Sequence, residues 1–211
     1  MQELIASYGR PGVDRAWVNN GGDIALHLTP GQSVRVGLFA DLAGLNIALN
    51  DVYNTPEGAE GLATDAQCEI CFEMPVRGVA TSGWRGRSFS LGIADSVTVL
   101  AKTAAMADAA ATVIANAVNV VHPGIVRRPA CDIRDDSDLG AMLVTVDVPR
   151  LGASQIRQAL AAGHHKAGSL AERGLIEAAV LVCQGHFLEA SVEAIRQHRV
   201  DRNLFQYSLS P

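Results

Sequence analysis

Asp108 and Thr112 stand four residues apart in the alanine-rich run 103–118. On a helix that spacing sets both oxygens on one face, with Cβ atoms about 5–6 Å apart. One carboxylate and one hydroxyl are few ligands, but Mg²⁺ takes few from protein and completes its shell with water and substrate phosphate oxygens. The plainer reading is a surface aspartate beside a threonine bonded to its own backbone. A second candidate is the turn Asn20-Gly21-Gly22-Asp23, preceded by Asn19. As backbone it is a tight hairpin, its glycines tolerating positive φ. As chemistry, glycines that bare their N–H groups let a phosphate or a flavin edge approach closely. A third is Thr81-Ser82-Gly83, followed by Arg85 and Arg87. Their guanidinium groups suit a pyrophosphate or a carboxylate, or are simply solvated.

Other patterns point away from chemistry. Gly78 and Gly83 have phosphate-loop spacing, but Trp84-Arg85 stands where Lys-Ser/Thr is needed. Asp132, Asp135, Asp136 and Asp138 lack the spacing and distal glutamate of a calcium loop and read as a solvated connector. His164 and His165 read as helix surface, and His27 alternates away from Ile24, Leu26 and Leu28 toward a pocket or solvent. Cys68 and Cys71 are spaced as Cys-x-x-Cys within a strand-like alternation that turns their sulfurs to opposite faces, so buried free thiols are expected rather than a zinc site.

Alternating and helical periods supply the elements that must hold these groups. Residues 1–8 predict a short helix stopped by Gly9. Apolar runs on both sides of the Gly-Gly turn predict a hairpin, and 33–39, 69–74, 76–81 and 96–101 predict strands. Thr103 is placed to cap a helix over 103–118 whose alanines would let it lie close on a sheet. Turn residues crowd 40–61, suggesting a surface loop. A strand over 142–148, a helix over 153–173 ended by Gly174, and strands over 176–183 and 187–192 complete the set. Strands outnumber helices and several adjoin as hairpins, the pattern of an α+β layered fold.

With 211 residues and 48% hydrophobic content the chain can bury one good core. A single domain is expected over 1–195, followed by a polar, loosely held tail over 196–211. No apolar run reaches the roughly 18 residues of a membrane span and no leader pattern opens the chain, so a cytoplasmic protein without membrane contact is expected. A net charge of −5 at pH 7 leaves no basic field for nucleic acid.

In order along the chain, Asn20-Gly21-Gly22-Asp23, Thr81-Ser82-Gly83, the Val97-Thr98-Val99 strand and Ala107-Asp108-Ala109-Ala110-Ala111-Thr112 resemble the ApbE-like superfamily, best known for FAD:protein FMN transferases. Gly83-Trp84-Arg85-Gly86-Arg87-Ser88-Phe89-Ser90-Leu91-Gly92 is most similar to an uncharacterised subfamily of it. The resemblance implies an α+β T-fold, layers of antiparallel sheet and helices. It implies Mg²⁺ on Asp108 and Thr112 beside an FAD or FMN pyrophosphate, with Asn20, Gly21, Gly22, Asp23, Thr81, Ser82 and Gly83 in ligand-contacting loops. Family members carry a segment before the glycine hairpin that this chain is expected to lack, by truncation, by a mis-started reading frame or because another chain supplies it; a homo-oligomer is also expected. Their longer insertion after Ser88, with a His-Ile-x-Asp-Pro type motif, is here only 88–96, so no catalytic residue is assigned. Two functions follow from the resemblance. One is a magnesium-dependent protein that binds a flavin nucleotide or other phosphate-bearing small molecule, with FMN transfer as its chemistry; the other is a non-catalytic ligand-binding or assembly protein on the same scaffold.

Overall fold

The structure is a computed structural model that describes residues 2–7, 9, 11–38, 66–191 and 205–207. Helix α1 (Gln2–Ser7) precedes the hairpin β1 (Arg15–Asn20) and β2 (Asp23–Leu28), then β3 (Ser33–Leu38). Strands β4 (Ala66–Cys71), β5 (Gly78–Ser82) and β6 (Ser96–Ala101) lead into α2 (Ala104–Ala117). Next come β7 (Val126–Pro129), a 3₁₀ turn (Ala130–Asp132), β8 (Leu143–Asp147) and α3 (Ala153–Glu172). The chain closes with β9 (Ala178–Cys183), β10 (His186–Ser191) and β11 (Phe205–Tyr207).

Six strands form one sheet in the order β1-β2-β5-β6-β9-β10, every neighbouring pair antiparallel. Three more, β11-β4-β3, form a second sheet, and β7-β8 is a separate ribbon. The architecture is therefore mixed α+β, as the alternating patterns required. Side chains that alternate along the strands send each face of the large sheet into a different core. Ala80, Val97, Val99, Ala179 and Leu181 meet Ala107, Ala111, Ile114, Ile156 and Leu160 of the helices. On the other face Val79, Leu100, Val180 and Val182 meet Val36, Leu38, Cys68 and Ile70 of the second sheet. Each fully buried valine or leucine contributes about 1.5–3 kcal/mol relative to exposure. Strands β6 and β9, buried at every position, lie at the centre of these three layers. That is why β9 reads as an unbroken apolar run, Ala178–Cys183, rather than an alternating one.

Helix α2 is seated by small groups. Thr103 is its N-cap and accepts the Met106 amide at 3.2 Å, as its sequence position foretold. Ala104, Ala107, Ala110, Ala111 and Ala115 form its buried face. Beneath its first turn lies Gly78, where an added Cβ would come within 2.1 Å of the Thr103 carbonyl carbon.

Three sequence expectations are corrected. The strand expected over 69–74 begins at Ala66 and ends at Cys71, because Arg77 gathers the next residues into a turn by donating to the carbonyls of Phe72, Met74 and Val76. Strand β7 carries no readable period over four residues, Val126–Pro129, and was not expected. Within the supposedly loose tail, Phe205–Tyr207 pairs antiparallel with β4. The turn-rich 40–61 stretch and the rest of the tail lie outside the described residues. No described helix is long and apolar enough to cross a membrane. Cys68 and Cys183 are buried, whereas Cys71 is half-buried and Cys131 exposed; all four are free. Burial, before all else, pushes the Cys68 and Cys183 thiols up to about 12, the neutral state of a packed sulfhydryl.

Gly78→Ala should cost about 1–3 kcal/mol by lifting α2 from the sheet. Urea unfolding of both proteins would read this as a lower midpoint, and an unchanged midpoint would show that α2 does not depend on that contact.

Candidate functional site

The β1–β2 turn closes on the pair Asn20 and Asp23, with Gly21 at φ 64° and Gly22 at φ 112°. Two consecutive positive φ angles match the right-handed twist of a hairpin and select the Gly-Gly pair. The Gly22 amide is occupied by the Asn19 side-chain oxygen at 3.0 Å. Arg87 lies against the turn instead, and its Nη2 donates to the Gly21 carbonyl at 3.1 Å and the Asn20 carbonyl at 3.4 Å. A Cβ on Gly21 would stand 1.7 Å from that nitrogen and push the guanidinium aside, while the positive φ is what selects glycine there. The turn thus meets a cation with its oxygens, the reverse of an amide cradle.

Strand β2 carries Asp23 to the helix side of the sheet, the side on which Ala25 packs against Ala104 of α2. Asp108, exposed on α2, is close enough for its charge to act on Asp23. The Asp23 carboxyl is held above its ordinary 3.8 first by burial and then by the Asp108 charge, while Arg87 pulls it the other way. Thr112, one turn farther along α2, is exposed. Its hydroxyl is in no hydrogen bond among the described residues, which removes the self-bonded reading of that side chain. Asp108 and Arg87 thus both act on Asp23 where the hairpin turn meets α2.

Thr81-Ser82-Gly83 divides between the two faces of the sheet. The Thr81 hydroxyl shares a 2.9 Å hydrogen bond with Thr98 across the β5–β6 pair, on the side away from α2. Half-buried Ser82 follows Ala80 on the helix side. Gly83 passes so near the Asp95 carbonyl that a Cβ would meet its oxygen at 2.2 Å. The chain between Gly83 and Ser96 lies against the core. Ser90 Oγ donates to Asn116 Oδ1 at 3.0 Å, and the Leu91 amide donates to the same oxygen at 2.8 Å. Asp95 accepts from Trp84 Nε1 at 3.3 Å and, through its other oxygen, from the Gln184 amide in the β9–β10 turn. Arg85 lies over the Trp84 ring at 4.8 Å.

Sequence reasoning missed Arg134. Its Nη2 donates to the Arg87 carbonyl at 3.3 Å and its guanidinium lies 5.1 Å above the Phe89 ring, fixing the loop that carries Arg87. No local motif marks such a contact, because it joins segments far apart in the chain. Asp132, Asp135, Asp136 and Asp138 are all exposed, in keeping with a solvated connector. Among the described residues no three His, Cys, Asp or Glu side chains form a metal cluster. His27 is half-buried near Gly9, and His164 Nε2 contacts the Glu189 carbonyl at 3.1 Å.

The family described as AbpE bacteria matches residues 2–189. A UPF0280 protein of Methanothermobacter thermautotrophicus is 38% identical over 102 residues, covering 48% of this chain and 32% of that protein. One from Methanopyrus kandleri is 33% identical over 134 residues, covering 64% and 46%. One from Methanothrix thermoacetophila is 32% identical over 138 residues, covering 64% and 48%. The matched stretches thus span about a third to a half of these relatives, whose name states no activity. The chain belongs to this ApbE-like family.

The raised Asp23 pKa has a signed consequence. Below pH 3.8 the carboxyl is protonated in folded and unfolded chains alike. Above it the folded chain holds the proton more tightly, so ionisation weakens the fold as the pH rises through the folded value. Asp23→Asn is expected to raise the melting temperature at about pH 7, with an advantage that shrinks toward about pH 3. A lower melting temperature at neutral pH would mean that the carboxylate is held by a favourable contact.

Proposed function

We propose that this member of the ApbE-like family binds a flavin nucleotide or another phosphate-bearing ligand together with magnesium, where the Asn20–Asp23 turn meets α2. Asp108 and Thr112 hold the metal, and Asn20, Gly21, Gly22, Asp23, Thr81 through its backbone, Ser82 and Gly83 form the ligand loops. The observation that carries this reading is the approach of Asp108 to Asp23 on the helix side of the sheet, with Arg87 as the neighbouring cation. Two carboxylates that repel each other are relieved by a divalent cation, and their hard oxygens are the donors Mg²⁺ takes. Bound there, the metal would neutralise the phosphate oxygens of the ligand. In this reading the layers are those of a T-fold, the protein is cytoplasmic, and it has no membrane or nucleic-acid partner. In the same reading the chain assembles as a homo-oligomer.

FMN transfer is the activity the family relation offers. The path from Ser88 to Ser96 contains no histidine. Asp95 within it is engaged by Trp84 and Gln184. That observation favours a second reading, in which the chain keeps the scaffold as a non-catalytic ligand-binding or assembly protein.

Calorimetric titration of the folded chain with FAD, with and without Mg²⁺, tests the first reading. Saturable binding that requires Mg²⁺ is expected, and Asp108→Ala should abolish the requirement together with the binding. Magnesium dependence that survives in Asp108→Ala would sink the metal assignment. No FAD binding by the wild-type chain would sink the flavin.

A further inference from the structure

The glycine turn and Arg87 divide the recognition of charge in an unexpected way. An anion could be held by backbone N–H groups at the turn, but the Gly22 amide is already bonded to Asn19 Oδ1 at 3.0 Å. Two carbonyls of the turn, those of Asn20 and Gly21, point at Arg87 Nη2. A guanidinium has five N–H donors in a fixed fork. Here Nη2 alone is bonded, while Nη1 and Nε have no hydrogen-bond partner among the described residues. Behind it, Arg134 holds the Arg87 carbonyl at 3.3 Å, so the arginine is fastened at its backbone and at one corner of its head group. The N–H groups of Nη1 and Nε remain available at an exposed position. An ordinary surface arginine loses rotamer entropy when it captures an anion; one already pinned loses less.

We infer that Arg87, rather than the backbone of the glycine turn, is the anion-recognising group of this site: the turn carbonyls hold its Nη2 and leave the N–H groups of Nη1 and Nε to take phosphate oxygens. The assignment deepens the phosphate-ligand reading above and rests on it. It also gives Gly21 a further part, since any side chain there would occupy the place of the guanidinium. The turn acts as a platform for the arginine, and the arginine contacts the ligand.

Inorganic pyrophosphate, titrated calorimetrically into the full chain at fixed Mg²⁺ and low salt, is the probe. Arg87→Gln should weaken binding by about tenfold or more, the loss of one charge-assisted pair. Arg87→Lys should recover only part of it, because an ammonium supplies charge without the fork. Asn19→Ala, which uncaps the Gly22 amide, should leave the affinity close to wild type. Wild-type affinity in Arg87→Gln, full recovery by lysine, tighter binding in Asn19→Ala, or no pyrophosphate binding by the wild type would each overturn the assignment. Melting curves establish that each variant is folded, and if Arg87→Gln fails to fold the lysine variant alone decides. FAD titrations with Mg²⁺ on the same proteins separate the two readings. FAD binding that is equal in wild type and Arg87→Gln leaves the proposed function standing and removes Arg87 from it. Absence of both FAD and pyrophosphate binding in the wild type removes both.

Discussion

The close approach of α2 to β5 and β6 is the constraint on which the site depends. A helix can lie that near a sheet only where side chains are nearly absent, and here the alanines of α2 face Gly78 and Ala80. A bulkier contact would displace the helix and carry Asp108 away from the β1–β2 turn. The cap at Thr103 fixes where the helix begins, and the buried alanine face fixes its rotation. Together they set Asp108 and Thr112 on the exposed side of the helix instead of in the core, with Asp108 within electrostatic reach of Asp23. Local geometry thus converts a packing requirement into an arrangement of charges.

Much of this was legible in the sequence because it is periodic or locally punctuated. Strand β6 was placed at its observed bounds, α2 to within a residue at each end, and the Gly-Gly hairpin at its turn. Each carries its own signal, a β-branched Val-Thr-Val run, a threonine before alanines, or two residues suited to positive φ. What was not legible is tertiary. Nothing near Arg77 announces that it will fold three carbonyls around itself and shorten β4. Nothing near Val126–Pro129 announces a strand, since four residues with a proline show no alternation. The meeting of Asp23 with Asp108 follows from the order of the strands, which hydrophobic periodicity alone does not determine. The division of Thr81 and Ser82 between faces was readable in principle, because adjacent strand residues point opposite ways.

The chemistry of the turn shows how backbone polarity and side-chain charge exchange roles. Glycine-rich turns are usually considered for the amides they expose, yet this one offers carbonyls to a guanidinium while an asparagine occupies an amide. Positive charge at the turn therefore comes from a side chain, and it offsets part of the repulsion that Asp23 feels from Asp108. The half-buried Asp23 carboxylate is thus acted on in opposite senses by an exposed carboxylate and an arginine. The loop that brings the arginine is itself braced by Ser90 and Asn116, so the charge is delivered from a firm base.

The contact between Arg134 and the Arg87 carbonyl bears on how the chain tolerates changes in length. Arg134 follows the 3₁₀ turn Ala130–Asp132, and residues 135–142 beyond it are largely exposed before β8 begins. Extra residues at that outer tip would project into solvent and leave Arg134 in register. A single residue inserted between Pro129 and Arg134 would instead shift the brace away from the loop that carries Arg87. Variation among descendants of this chain is thus channelled, with the tip free to drift in length and the few residues inside it held to a fixed count.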